Sequence, residues 1–448
     1  MTEERTMILK MLAEGKISVE EAEALLDALG EVPLTEDAQG SADPGHEQRG
    51  RERTGRSRHR RERCWPFFDF DVDFQDMSRD FQGMARHVLR GLREGLGHGV
   101  KFGDWFESFF GSNKSVDERS FSVSCEGVEK LKLDNRWGKV SISDTNEREI
   151  SIKAEITAWG PNVAAAQQLA QSLELKTQLE GSILRITADS PEEYRRYRID
   201  YEIVLPKEIS ADIGTRSGNI ACHGRAADIR LSTFSGDVTA SDVKGNAGLR
   251  SKSGNVQTER TEGDLRLNTL SGDVKLADAK GSLSCETKSG DVAFDQVEGP
   301  LKALTLSGSV EGSSVDGDVS AESKSGDIRL SDCRGRIHAK ALSGDVEMRG
   351  MVSPDVSAQA ISGDLDIELH LEEDGQVALR TTDGDIALKL PDSAKAHVTA
   401  KTLSGVITCE LPLTALEQDK KHVQGILNED RGRVVVSATS GDIVLQTL

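Results

Sequence analysis

The feature that most constrains the fold of this chain is a glycine that returns every 18 residues through most of its second half. Each of these glycines follows a serine, and most of them precede Asp or Asn and then Val or Ile. A fixed period of this length is typical of a solenoid, in which each repeat stacks on the next. Glycine suits a corner where the backbone turns at positive φ. The predicted turn glycines are Gly218, Gly236, Gly254, Gly272, Gly290, Gly308, Gly326 and Gly344.

Each repeat is predicted to contain two β-strands. A second series of glycines runs nine residues after the first, and apolar residues alternate with polar ones between the two series, as in residues 272–276 and 281–285. Alternation with a period of two indicates strands with one buried face. The predicted fold is therefore mainly β, a parallel β-solenoid with 18-residue coils, together with a small N-terminal helical hairpin and a separate amphipathic helix.

The charges beside the corner serines indicate the length of one coil. The residue before each serine alternates between cationic and apolar, which creates a superperiod of 36 residues. Coils of 36 residues would stack Lys252 directly on Lys288, whereas coils of 18 separate them by two strand spacings, about 9.6 Å. The second arrangement relieves the repulsion and favours coils of 18. The spacing loosens after Gly344, which predicts bulges or loops, with one degraded corner around Gly425.

Composition limits the classes of partner and the compartment. The net charge of −20 argues against nucleic acid as a partner, because phosphate neutralisation needs a basic face. The six cysteines never form a CxxC pair, so we interpret them as reduced residues, with Cys285 in the core. No signal peptide or transmembrane helix is apparent. The expected location is the cytoplasm, with peripheral membrane contact and surface exposure by a route without a signal peptide as alternatives.

Residues 1–30 have the pattern of two short helices. Gly15 ends the first apolar stripe, and residues 18–21 form a capping box that opens the second helix. Two short helices cannot bury both stripes alone, so this hairpin is predicted to self-associate or to dock on a partner. The residues predicted to make that contact are Leu12, Leu25, Leu26 and Leu29.

Residues 31–64 lose periodicity and end in a run of arginines, which predicts a disordered linker. It is either a solvated tether or a contact with an acidic surface, such as anionic lipid or the protein's own acidic repeats.

Residues 65–113 are rich in phenylalanine and contain a seam with heptad spacing. Three interpretations stay open: a helix that oligomerises, an amphipathic helix at a membrane interface, and a helix that caps the solenoid. The predicted oligomer or membrane contacts are Phe70, Phe74, Met77, Phe81, Met84 and Val88.

Residues 114–213 alternate like strands but are out of phase with the repeats, apart from a short helix over residues 163–173. An open solenoid end invites edge-to-edge pairing, so this region is predicted to be a cap. The Ser-Gly-Asp-Val repeats are assigned to residues 214–448.

No pattern of catalytic or metal-binding residues stands out. One Asp per repeat, as at Asp273 and Asp291, supplies too few oxygens for calcium, which takes six to eight, and is better explained as a turn residue. The histidines are scattered, and the strict spacing leaves no room for the long loops of a catalytic β-helix. We therefore expect no enzyme activity, cofactor or metal.

Two segments carry a resemblance to a known family. Residues 8–26, Ile-Leu-Lys-Met-Leu-Ala-Glu-Gly-Lys-Ile-Ser-Val-Glu-Glu-Ala-Glu-Ala-Leu-Leu, closely resemble the SHOCT-like hairpin of bacterial envelope-stress proteins of the LiaX and YvlB type. Residues 127–131 and 201–206, with the Ser-Gly-Asp-Val repeats, are similar to the β-strand-repeat "putative adhesin" domain of that family. The resemblance implies a non-catalytic scaffold or sensor in an envelope-stress response, with other proteins of that system as partners and a homo-oligomer as one alternative.

The alternative from a different class is a β-helix protein that binds or acts on carbohydrate. Such a site needs a groove with clustered carboxylates and aromatic platforms. The repeats contain no tryptophan and few phenylalanines, so no such groove is expected.

Overall fold

The computed structural model describes residues 113–189 and 197–448. Its strands join in one continuous sheet, and a single helix, α1 (Val163–Ser172), follows β4. In chain order the strands are β1 (Asn113–Ser124), β2 (Lys130–Trp137), β3 (Val140–Thr145), β4 (Glu149–Gly160), β5 (Glu174–Glu180), β6 (Ile183–Asp189), β7 (Tyr197–Pro206), β8 (Ser210–Ser217), β9 (Ile220–Arg225), β10 (Ile229–Ser235), β11 (Val238–Val243), β12 (Ala247–Ser253), β13 (Val256–Glu262), β14 (Leu265–Asn268), β15 (Val274–Lys280), β16 (Leu283–Glu286), β17 (Val292–Glu298), β18 (Leu301–Ser307), β19 (Val310–Asp316), β20 (Val319–Ser325), β21 (Ile328–Arg334), β22 (Ile337–Ser343), β23 (Val346–Gln359), β24 (Leu365–Asp383), β25 (Ile386–Leu390), β26 (Ala396–Ser404), β27 (Ile407–Cys409), β28 (Leu413–Gln418), β29 (His422–Leu427), β30 (Gly432–Ser440) and β31 (Ile443–Thr447).

The repeats form layers. A layer is one inbound strand, which leads into a Ser-Gly corner, and one outbound strand, which leaves it; β10 and β11 are an example. Inbound strands pair in parallel with inbound strands of the neighbouring layers, as Ile229 does opposite Ala247. Outbound strands do the same, as Val238 does opposite Val256. The mainly β fold with a long sheet of parallel strands is therefore confirmed.

Alternate side chains of every strand point into the core. Val256, Leu267 and Val292 are fully buried, and the residues beside them in the strands face outward. One column departs from simple stacking, because Phe294 lies opposite Gly312 in the next layer and its ring occupies the space where a Gly312 side chain would stand. The large ring is accommodated by a missing side chain in the neighbouring layer.

The corners need glycine for two reasons. Gly290 has a φ of +140°, and a Cβ atom placed on it would lie 2.1 Å from the carbonyl oxygen of Gly272. The same crowding occurs at the other seven predicted turn glycines. The Asp that follows serves the backbone, since the Asp291 amide donates to Asp273 Oδ1 at 3.0 Å. The same hydrogen bond recurs between successive layers, so the periodic Asp series has a structural role at the corners.

The outbound strands contain a second turn that the glycine pattern does not mark. The residue at this turn has a φ between 49° and 56° although it is not glycine, and it stands outside the strand register. The residue type at this position varies from repeat to repeat, so the sequence does not reveal the turn. Its members are Asp242, Arg260, Asp278, Gln296, Ser314 and Asp332.

The first end of the stack corrects the predicted boundary at residues 213/214. β2 and β3 pair in parallel with β8 and β9, so residues 130–145 form a layer although they lie inside the predicted cap. β6 and β7 lie beyond that layer, also in parallel. Antiparallel strands then cover them: β5 pairs with β6, β4 with β7, and β1 with β4. The predicted helix is present as α1, whose first turn is capped by Asn162 Oδ1, which accepts from the Ala165 amide at 2.8 Å.

The far end also departs from chain order. β30 and β31 lie between the layer of β24 and β25 and the layer of β26 and β27, so the last strands of the chain are not the outermost layer. The predicted degraded corner at Gly425 is wrong. Gly425 lies in β29, which forms an antiparallel hairpin with β28 and pairs antiparallel with β26. The switch from parallel to antiparallel pairing ends the stack at both ends.

Candidate functional site

The outward side of the inbound strands is the most unusual surface in the described part of the chain. Each inbound strand presents three outward positions, and across thirteen layers these hold thirteen Lys or Arg residues but only four Asp or Glu. We call this surface the basic face. Its cations are Lys132, Arg136, Arg216, Arg230, Arg250, Lys252, Arg266, Lys288, Lys302, Lys324, Lys340, Arg380 and Lys401. Its acids are Asp134, Asp212, Glu286 and Glu322.

The basic face has a surplus of nine positive charges in a chain whose net charge is −20. Apart from Arg136, Arg216, Arg250 and Lys252, none of its cations has an ion-pair partner within 4.0 Å among the described residues. Several cations of the outbound strands are paired instead: Arg329 lies 2.6 Å from Asp327, and Lys280 lies 2.8 Å from Glu298. The other nine cations of the basic face are therefore available to an external anion.

Three arginines gather near one end of the basic face. Arg230, Arg250 and Arg266 come from three successive layers, because Ile229, Ala247 and Leu265 are in register. Burial, and then the charges of Arg230 and Arg266, lower the pKa of Arg250. Close cations repel each other, so an anion bound among these arginines would stabilise the grouping.

One edge of the basic face is a ridge formed by the residue before each corner serine. Cations and apolar residues alternate along it, and Lys252 Nζ lies 4.3 Å from the centre of the Phe234 ring. Toward the far end the ridge itself has no cation, and its apolar members are exposed: Leu342 by 42%, Ile361 by 48% and Leu403 by 70%. The cations of that region, Lys340, Arg380 and Lys401, lie in the neighbouring outward column. A surface that interleaves cations with exposed apolar side chains is suited to the interface of an anionic membrane.

A shallow groove of about 600 Å³ runs along the outbound side. Its carboxylates are Asp295, which accepts from the Ser313 hydroxyl at 2.6 Å, and Glu311 and Glu347. Glu311 and Glu347 both lie within ion-pair distance of Arg329, at 3.5 and 3.8 Å. They are therefore neutralised by a cation between them, which does not favour general acid–base chemistry. No cluster of three or more potential metal ligands occurs in residues 113–189 and 197–448.

Only some of the predicted site residues lie in the described part of the chain. The eight turn glycines lie at corners, whereas the hairpin leucines and the Phe70–Val88 seam lie outside the described residues. Sequence reasoning missed the basic face, because the net charge of the chain does not show how charges are distributed over its surfaces. The signal was present in the Lys/Leu alternation before the corner serines, but the neighbouring columns become visible only when the register is known. The expectation that nucleic acid is not a partner stays a prediction. No helix in the described ranges is long and apolar enough to cross a membrane.

Comparison with solved structures shows three proteins with low identity that this chain covers almost completely. They are a "putative cell adhesion protein" from Clostridium sporogenes (11% identity; 75% of this chain and 100% of that chain; TM-score 0.19), a "Putative lipid binding protein" from Parabacteroides distasonis (11%; 74% and 96%; 0.22) and a "putative adhesin" from the same species (12%; 75% and 97%; 0.23). At these TM-scores the likeness carries no argument about function.

Family models give a clearer result. No curated protein sequence matches the chain. A SHOCT-like domain matches residues 3–33. The Toastrack DUF4097 model matches residues 128–336 and 317–446, which together cover most of the chain and include both ends of the layered stack. The chain therefore belongs to the Toastrack DUF4097 family.

Proposed function

We propose that this protein is a non-catalytic scaffold or sensor of a bacterial cell-envelope stress response, and that it docks on an anionic membrane surface through its basic face. The observation that carries the proposal is the surplus of nine positive charges on that face, most of them without ion pairs. Each basic residue near an anionic membrane contributes about 1 kcal/mol. A face of this charge is sufficient for binding at low ionic strength without any inserted helix.

The ridge favours lipid over nucleic acid as the anionic surface. Phosphate contacts on a duplex need cations and polar groups. The exposed Leu342, Ile361 and Leu403 would gain nothing there, but each gains apolar contact at the boundary of headgroups and acyl chains. The protein would therefore be membrane-peripheral on the cytoplasmic side.

The remaining parts of the proposal concern the repeat and the N-terminus. Each 18-residue repeat is one coil of a solenoid, which supports a long, rigid face for docking. Residues 1–30 form a helical hairpin that binds other proteins of the stress system, and the Phe70–Val88 seam adds self-association or a second membrane contact. The SHOCT-like match supports the hairpin.

The test uses the full chain and vesicles of phosphatidylcholine with or without phosphatidylglycerol. Lys288→Glu with Lys324→Glu reverses two cations of the basic face that lack partners in the described residues. The matched control, Lys244→Glu with Lys275→Glu, changes the net charge equally but on exposed lysines of outbound strands or the turns that follow them. Cosedimentation should show binding to the anionic vesicles only, falling more than about tenfold in the first variant and little in the control.

Equal losses in both variants would mean that total charge, not the basic face, governs binding. A wild-type chain that ignores the vesicles but binds duplex DNA would overturn the choice of membrane. For the protein partner, pull-downs should lose their captured proteins when Leu25 and Leu26 are changed to Asp in the full chain.

A further inference from the structure

The three arginines of the basic face surround an empty position. Gly248 lies between Arg230 and Arg266 in one outward column, and Arg250 lies in the next column. A Cβ atom placed on Gly248 would meet no atom within 4 Å. Since two strand spacings separate Arg230 from Arg266, the notch above Gly248 is about 9.6 Å wide between backbones.

The rest of the notch is also lined by polar groups rather than acids. Ser232 and Asn268 flank Arg250 in the second column, so the six positions of this patch contain three arginines, two neutral polar residues and one glycine. A guanidinium carries five donors in a planar fork that matches the oxygens of a phosphoryl group. The patch therefore offers donors from Arg230 and Arg266 on two sides and open space between them.

The carboxylates around the notch do not fill it. Asp212 lies opposite Arg230 in the preceding layer, where its carboxylate is 3.0 Å from Lys130 Nζ. Asp228 and Asp264 stand at the corner two residues before Arg230 and Arg266, and each accepts a backbone amide of the next layer, at 3.0 and 3.4 Å. Neither lies within ion-pair distance of these arginines in the described structure. Glu286 is one layer beyond Asn268, and its charge partly offsets the lowering of the pKa of Arg250.

We propose that the notch above Gly248 is a discrete phosphoryl-binding site, in which Arg230 and Arg266 bind the anion from two sides. This proposal rests on the proposed function and names the chemical group that the basic face recognises. The phosphoryl group is the phosphodiester of a lipid headgroup or a soluble phosphate compound, and the two sources are separated by experiment.

The key variant is Gly248→Val, which fills the notch but removes no charge. Gly248 is outward, has no positive φ and has open space above it, so a β-branched residue fits the strand. A second pair compares Arg266→Gln with Lys302→Gln, since both residues are exposed cations in the same outward column, two layers apart. The probes are pyrophosphate, measured by calorimetry, and phosphatidylglycerol vesicles, measured by cosedimentation.

We expect Gly248→Val and Arg266→Gln each to weaken binding of at least one probe about tenfold or more. Lys302→Gln should change pyrophosphate binding less than about twofold, and should weaken vesicle binding only by the roughly fivefold that one cation near the membrane contributes. If Gly248→Val and Arg266→Gln weaken pyrophosphate binding, a soluble phosphate compound is enough to occupy the notch. If they weaken only vesicle binding, the ligand is the lipid headgroup. Unchanged thermal melting of Gly248→Val checks that the variant is folded.

Vesicle binding that ignores Gly248→Val and falls equally with Arg266→Gln and Lys302→Gln would overturn the discrete site, while the basic face would still dock on membranes. Binding of neither probe by the wild type would overturn the site and the proposed membrane docking together. A pyrophosphate response that is specific to the notch, without vesicle binding, would support the site and overturn the docking.

Discussion

The pairing of Phe294 with Gly312 gives the sharpest test of how the layers pack. Phe294 is buried in β17, with 3% of its surface exposed, and Gly312 lies opposite it in β19. A Cβ atom on Gly312 would stand 1.9 Å from Phe294 Cε2 and 2.1 Å from Cζ. Gly312 has no positive φ, so alanine is excluded only by the ring and not by the backbone.

We expect Gly312→Ala to destabilise the surrounding layers by about 2 kcal/mol, the middle of the range for an overpacked core. Phe294→Leu should also destabilise them, because it leaves a void above Gly312. The double variant should be at least about 1 kcal/mol more stable than the sum of the two losses predicts, since leucine makes the room that the new methyl group needs. The same inward column already holds leucine at Leu276 and Leu330.

Hydrogen exchange measured by mass spectrometry is the assay, because long repeat arrays do not unfold in a single step. The amides of β17, β19 and β21 report the local free energy of opening. Gly248→Ala, an outward glycine with open space, serves as the control and should leave exchange unchanged. The steric explanation would be refuted if the double variant lost as much stability as the two single variants together, to within about 0.5 kcal/mol.

Three further predictions follow from the corners, the core and the aromatic seam. Gly290→Val should lower stability by about 1–3 kcal/mol, because φ is +140° and the added carbon meets a backbone carbonyl, whereas melting of Gly248→Val should not change. Burial raises the pKa of the Cys285 thiol to about 12. An unfolded thiol titrates near about 8.5, so the stability that this thiol contributes should be complete below that pH and decline above it, and Cys285 should resist alkylation in the native protein at about pH 9. Changing Phe74 and Phe81 to Ser should abolish self-association, or should weaken vesicle binding to the level that the basic face supplies alone, in sedimentation velocity. A wild-type chain that is monomeric and ignores vesicles would contradict both the oligomer and the membrane interpretation of the seam.

The local rules of this fold can be predicted from sequence with little else. The period of Gly272 and Gly290 marks the corners, and alternation in stretches such as residues 272–276 marks which side chains are buried. Both signals are local: a glycine reports the backbone at its own position, and alternation reports the two faces of one strand. The turn at Asp242 could not be predicted from the sequence, because a residue other than glycine adopts the left-handed backbone conformation there.

The tertiary structure decided the order of layers at the ends and the existence of the basic face. Placing β2 and β3 beneath β6 and β7 depends on pairings between segments far apart in the chain, which no period of 18 residues encodes. Likewise, Arg230, Arg250 and Arg266 are separated by about one repeat each, and only stacking brings them around Gly248. The sequence by itself determined how each repeat turns and which side it buries. Parallel register determined which charges become neighbours, because electrostatic interaction depends on distance in space rather than separation along the chain.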